Sequence, residues 1–296
     1  MTNCDPRIEA YMEAVETGKV EASKDVKALM KHVRKCFETE DIYVDQQQLT
    51  DYLGLARYFP YDEVFPWQQF VIGLHDCTYW RENGRPRWPD LFCLIGRGAG
   101  KDGTIALEST ALASEYNGIR EYDVDICANN EDQALRPVQD IVGAFEQPKW
   151  LKKLQRFFKW TREKVVCKST RSTIKGHTNN PGGKDGLRSG MVVLNEIHQY
   201  QDYKNINVFT TGLGKKKHPR RSYYTTQGDV REGPLDDLLD QVSPDYKAQI
   251  DPAVLEGCRV NGKIMTIPCL WKQYTPGGIE YREDLREKYD LPVPDS

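Results

Sequence analysis

Residues 91–103 constrain the fold of this chain more than any other stretch. Leu91 to Ile95 make an unbroken apolar run of strand length, Gly96-Arg97-Gly98-Ala99-Gly100 supply a turn, and a helical pattern opens at Lys101-Asp102-Gly103. That order suits a phosphate. Gly98 and Gly100 can take positive φ, which lets successive backbone N–H groups curl round anionic oxygens. A helix opening near Lys101 would aim its N-terminal dipole at the same anion, with the ammonium as a mobile positive charge. The match to the phosphate-loop consensus is incomplete: Ile95 stands where the first glycine belongs, and Asp102 where a serine or threonine would ligate magnesium. An ordinary glycine-rich strand-to-helix turn would show the same order, so this segment alone leaves both readings open.

A chain of 296 residues can bury a sizeable core, as one large domain or a core with appendages. Its net charge of -3 excludes a wholly basic, histone-like binder, so any contact with nucleic acid must come from local patches. Eight cysteines are scattered singly, with no C-x-x-C pair, which fits reduced structural thiols in a cytosolic compartment. No apolar run approaches the roughly 20 residues of a membrane span, and a signal-peptide pattern is absent, so a soluble intracellular protein is expected.

Residues 6–57 read as helices, with Ile8, Tyr11, Met12 and Val15 on one face and Val26, Leu29, Met30, Val33 and Cys36 on the next. Pro60 and Pro66 bracket an aromatic turn leading into a helix at Trp67-Gln68, which Asn83-Gly84-Arg85-Pro86 should end. From there strands are expected at 91–95, 124–128, 191–194 and 222–226, alternating with helices, which predicts an α/β fold with a mainly parallel sheet covered on both faces. Trp150, Leu151, Leu154, Phe157 and Phe158 recur at helical spacing among lysines and arginines, which predicts an amphipathic helix with a buried aromatic stripe. Its cations could still meet phosphates. Residues 176–190 read as a Gly/Asn/Pro-rich loop.

Two further motifs carry chemistry. Met191-Val192-Val193-Leu194 runs into Asn195-Glu196-Ile197-His198, so Asn195 and Glu196 are expected at the carboxyl edge of a parallel sheet, where open α/β folds bind ligands. Glu196 could there deprotonate a water for attack on a γ-phosphate; a plain hydrogen-bonding role at the sheet edge is the alternative. The run 222–228 ends in Thr225-Thr226-Gln227-Gly228, groups able to sense a phosphate and change conformation, or else an ordinary strand end.

Together with Phe65-Pro66-Trp67-Gln68, these motifs resemble the ATPase domain of bacteriophage terminase large subunits, and the resemblance covers most of the chain. It implies a P-loop NTPase of the additional-strand, catalytic-glutamate type that binds ATP and Mg2+. In that family the loop often reads Arg-x-x-Gly-Lys, which Arg97 to Lys101 satisfies. The resemblance assigns ATP binding to Trp67, Gln68 and residues 96–103, phosphate neutralisation to Lys101, water activation to Glu196 and coupling to Thr225, Thr226, Gln227 and Gly228. It makes Arg188 a finger reaching a neighbouring subunit, with Arg97 as the competing candidate within its own subunit. Two positions depart from the family, Asp102 and Asn195, where Ser or Thr and Asp are usual; both would serve the magnesium, as though the carboxylate had moved from strand end to loop.

The implied organisation is an N-terminal helical segment (1–60), an ATPase core (61–232), then a small lid and the start of a linker (233–296) containing a short strand at 264–267. Asp236, Asp237 and Asp240 read as a solvated helix face, so no nuclease activity is expected from this chain by itself. Implied partners are double-stranded DNA, a portal ring, a small terminase subunit and further copies of the chain in a ring, in the host cytoplasm and with no membrane. A catalytically silent nucleotide-binding module and a helicase-like DNA translocase are the alternatives.

Overall fold

Helix starts in this chain are written by their caps. Asp5, Ser23 and Asp45 each accept a hydrogen bond from a first-turn N–H, opening α1 (Pro6–Glu16), α2 (Lys24–Thr39) and, after strand β1 (Ile42–Val44), α3 (Gln46–Gly54). In this computed structural model the described residues are 4–61, 63–177, 187–228, 233–242, 259–260 and 263–264. Helix α4 (Pro66–Cys77) starts at a proline, as expected, but ends six residues before Asn83, and Thr78–Trp80 form β2, antiparallel to β1. Thr78, Tyr79 and Trp80 are β-branched or aromatic, and that local preference outweighs the helical period there.

The central sheet follows. Strand β3 (Asp90–Leu94) leads to α5 (Lys101–Ala113), β4 (Asp123–Cys127) to α6 (Glu131–Phe145), and the short α7 (Leu151–Leu154) to β5 (Phe158–Trp160), β6 (Lys164–Cys167) and β7 (Thr173–His177). Then come β8 (Ser189–Asn195), α8 (Lys204–Thr210), β9 (Arg220–Thr225) and α9 (Pro234–Val242). The strand order is β3-β9-β8-β4-β7-β6-β5, with β3 to β7 parallel neighbours and β6 and β5 antiparallel at one edge. Thus β9, last in sequence, is inserted between the strand of the glycine loop and the strand of Asn195. This is the additional-strand arrangement.

Both faces are covered. Along β8 the pleat sends Met191 and Val193 into one apolar cluster and Val192 and Leu194 into another, so an unbroken apolar run is what a two-sided strand needs. The first cluster contains Ile8, Met12 and Val15 of α1, Met30 and Val33 of α2, and Ile105, Leu107 and Leu112 of α5. The second takes Ile206 and Phe209 of α8 and Leu235 and Leu239 of α9. Leu29, expected on the buried face of α2, is exposed.

The long amphipathic helix expected over 150–158 does not form. After one turn (α7) the chain enters a meander whose strands alternate: Phe158 is buried and Lys159 exposed, while Val165 and Cys167 are buried and Lys164 is exposed. Phe157 points to solvent, whereas Phe158 packs 5.0 Å from the Phe145 ring and Trp150 5.0 Å from Tyr58. Period two wins because β6 pairs with both β5 and β7, which joins these short segments to the central sheet and buries alternate side chains. Most of the expected loop 176–190 and most of the strand 264–267 lie outside the described residues. Residues 250–296 form a compact unit separate from 1–249; within it Arg259–Val260 pairs antiparallel with Lys263–Ile264. Among the described residues no helix is long and apolar enough to cross a membrane.

Candidate active site

Register brings three strand ends together. Leu94 of β3 pairs with Thr225 of β9, whose neighbour Tyr224 pairs with Asn195 of β8. Ile95 N–H donates to Thr225 O (3.0 Å) and Glu196 N–H to Tyr224 O (2.8 Å), so the glycine loop, Glu196 and Thr226 emerge side by side at the carboxyl edge.

The loop takes the conformation its glycines permit: φ is 78° at Gly98 and 91° at Gly100. Gly100 is the N-cap of α5 and supplies no side-chain cap, which leaves the first-turn N–H groups open to an anion. The loop borders a cleft of about 480 Å³. Of the expected residues, Gly96, Arg97, Gly98, Gly100, Lys101, Asp102, Gly103, Glu196 and Thr226 line it. Trp67, Gln68, Ala99, Arg188, Asn195, Thr225, Gln227 and Gly228 are not among its lining residues. Gln68 is buried under the loop: Phe65 N–H donates to its Oε1 (2.8 Å), and its Nε2 donates to Thr104 Oγ1 (2.8 Å) and to Gly100 O at 3.4 Å. Its amide braces α4 against the loop. Arg188 is exposed just before β8.

Lys101 is the centre of the site. Its Nζ donates to Asp102 Oδ1 (2.8 Å) and Asn195 Oδ1 (2.8 Å) and lies 3.0 Å from Glu196 Oε1, with only 10% of the side chain exposed. Asn195 is fixed from behind, its Nδ2 donating to Gln133 O at 3.3 Å. Asp102 and Asn195 therefore converge on one cation through a carboxylate and an amide oxygen. Hard oxygen donors of this kind suit Mg2+.

Glu196 adopts φ 56°, a left-handed conformation unusual for a residue with a side chain and common where function over-determines the backbone. Burial by itself would push its carboxyl up; the approach of His198 and Lys101 outweighs that and holds the pKa at about 2, against an ordinary 4.5. His198 Nδ1 lies 3.2 Å from Glu196 Oε2 without hydrogen-bond alignment, so Oε2 is a buried acceptor with a lone pair to spare. That atom is where a water could be deprotonated.

Three cleft residues carried no role in the sequence reading: His198 and Gln199, just after the Asn-Glu pair, and Gln133, on the first turns of α6 with its Oε1 buried and unpartnered. His198 stood inside the motif and could have been found by its distance from Glu196. Gln133 has no local signal, because only the sheet order puts β4 beside β8.

A second cluster of titratable groups lies about two turns along α5 from Lys101. His75, Asp76 and Glu108 are fully buried with potential ligand atoms within 4.8 Å of one another, and the cation there is Arg220, 3.4 Å from Asp76 Oδ1. Burial pushes both carboxyls up and holds His75 down at about 3.

A family model described as terminase large subunit, ATPase domain, matches residues 66–243. Terminase large subunits of Lactococcus phage p2 and Lactococcus phage SK1 are each 24% identical over 160 residues, covering 51% of this chain and 28% of theirs. The match thus spans under a third of the length of those curated relatives. The crystal structure of the HK97 bacteriophage large terminase superposes with a TM-score of 0.55 at 19% identity, over 70% of this chain and 42% of that one. That likeness is one of fold.

Proposed function

The chain belongs to the family of terminase large subunit ATPase domains, and we propose that it hydrolyses ATP in a Mg2+-dependent reaction that drives double-stranded DNA into a viral prohead. One observation carries this reading: a lysine at the mouth of a left-handed glycine loop is held within 3.0 Å of a strand-end glutamate, whose second oxygen is buried and unpartnered. Lys101 would turn to the β- and γ-phosphates. Glu196 Oε2, ionised because its pKa is about 2, would accept the proton of the attacking water. Asp102 and Asn195 would hold the magnesium, which when bound offsets phosphate charge. Gln68 braces the loop from the side on which we place the adenine, beside Trp67, and Thr225, Thr226, Gln227 and Gly228 would couple hydrolysis to motion.

Within this reading the chain divides into N-terminal helices (1–60), an ATPase core (61–232) and a lid with linker (233–296), works in the host cytoplasm, and has no nuclease activity alone. Portal, small terminase subunit, DNA and further copies of the chain in a ring are its partners; the exposure of Arg188 suits reach toward a neighbouring copy, and that of Arg97, in the cleft, suits its own nucleotide. Magnesium-dependent ATP turnover of the wild type against Glu196→Gln tests the chemistry. Equal, background turnover in both would favour a silent nucleotide-binding module. For the exchanged carboxylate, Asp102→Thr and Asn195→Asp should each slow turnover and the double substitution should recover it. A double variant no better than the worse single one defeats the exchange.

A further inference from the structure

Lys101 cannot serve two masters. Its ammonium holds Glu196 Oε1 at 3.0 Å, yet it is also the group that must turn to the phosphates. When it does, the carboxylate loses the contact that orients it. The other oxygen faces His198, and three hydrogen bonds define what that ring can do. Thr225 Oγ1 gives its only proton to Thr226 O (2.9 Å), and it accepts from the His198 backbone N–H at 3.1 Å. With its proton so placed, the hydroxyl accepts from His198 Nδ1–H, 3.0 Å away. The same Nδ1–H stands 3.2 Å from Glu196 Oε2, misaligned for donation. A small rotation of the ring would exchange Thr225 for Glu196.

The ring is also in contact with the end of the coupling segment. A Cβ added to Gly228 would collide with His198 Cδ2 and lie 2.7 Å from its Cβ and Cγ, so the backbone at 228 passes flat against the imidazole. On either side of His198 the chain is anchored, because Ile197 and Tyr200 are buried with Leu235 and Leu239 of α9 in one apolar cluster. The imidazole is thus the contact through which Glu196, Thr225 and Gly228 meet.

We propose that His198 is a positioning residue: its Nδ1–H takes over the orientation of Glu196 when Lys101 turns to the phosphates, and links the state of that carboxylate to Thr225 and Gly228. This rests on the ATPase reading. His198→Ala, assayed on the full chain with saturating ATP and Mg2+, should lower kcat by about 10- to 100-fold, as loss of orientation does, while the KM for ATP changes little. His198→Asn, whose amide can place a donor where Nδ1 stands, should restore most of the rate; His198→Gln, whose amide reaches the Nε2 position instead, should not. Gly228→Ala should slow the wild type by displacing the ring.

Two outcomes would overturn the proposal: Asn and Gln equally poor, or a loss confined to KM. The Asn and Gln comparison stands even where the alanine variant misfolds. Background turnover in wild type and Glu196→Gln alike would defeat the ATPase reading and the proposal with it, whereas normal wild-type turnover with an unimpaired His198→Ala defeats the proposal alone.

Discussion

Replacing Glu196 by glutamine removes the charge but keeps the shape, so it separates what the carboxylate does for the fold from what it does for the reaction. In the free protein the carboxyl is held at a pKa of about 2 against 4.5. At 1.36 kcal/mol per pH unit this sets an upper figure of about 3 kcal/mol for its ionic contribution. The group keeps contact with water in the open cleft, with 18% of its side chain exposed, and screening lowers the expected contribution to about 1–2 kcal/mol. The sign follows from a depressed folded-state pKa. The stabilisation is present above the unfolded value of 4.5 and is lost as pH falls toward 2.

Glu196→Gln should therefore be less stable than wild type by about 1–2 kcal/mol in urea titrations at pH 7, with the gap closing between about pH 5 and 3. A thermodynamic cycle adds a second number. Nucleotide must pull Lys101 from Glu196 in the wild type only, and His198 accounts for part of the 1–2 kcal/mol, so a non-hydrolysable ATP analogue should bind the variant more tightly by about 3- to 5-fold, roughly 1 kcal/mol. Calorimetric titration measures that ratio directly. A variant as stable as wild type at pH 7, with unchanged affinity for the analogue, refutes the claim that Lys101 and Glu196 are paired before nucleotide arrives.

Other consequences are as definite. Because Glu196 stays ionised down to a pKa of about 2, kcat/KM should show no acid limb near pH 4.5 once the titration of ATP is allowed for, and a limb there would mean the carboxyl is not so held. Arg220 is buried, with Nη2 donating to Asp76 O (2.8 Å) and its Nε 3.4 Å from Asp76 Oδ1. Arg220→Met should cost about 3–5 kcal/mol in denaturant unfolding by stranding Asp76, and Asp76→Asn in that background should return part of it; a loss under about 1 kcal/mol would show the pair is not integral. Gln68→Ala removes the amide contacts to Gly100 and Thr104 that brace the loop, so affinity for ATP and for GTP should fall together, by about 1–2 kcal/mol. A loss confined to ATP would instead put Gln68 on the adenine.

Those outcomes bear on features that were unequally legible in the chain. Leu91–Leu94 and Met191–Leu194 announced their strands because a strand covered on both faces must be apolar at every position, and both end within a residue or two of where they were expected. The segment 150–160 misled because Trp150, Leu151, Leu154, Phe157 and Phe158 satisfy a helical period, while β6, the partner that makes 158–160 a strand, lies beyond a turn. Glu196 was visible as chemistry, but its left-handed backbone and His198's hold on Thr225 are tertiary facts that no local window contains. Burial of Gln68 is of the same kind, since Thr104 is 36 positions away.

Asp102 and Asn195 show where sequence and geometry meet. Two departures 93 positions apart look independent in the chain, and either alone suggests a weakened metal site. In the folded protein both oxygens lie 2.8 Å from one ammonium. Moving a carboxylate from one of these positions to the other leaves the negative charge that Lys101 faces unchanged, whereas losing it from both, or placing it on both, would not. At a separation of about 4 Å an uncompensated charge is worth about 4 kcal/mol at the effective dielectric of a partly wet site. That is enough to decide whether triphosphate binds at all. On the exchange proposed above, what such a site keeps is the sum of charges at one point in space, which a position-by-position reading of the motif registers only as two defects.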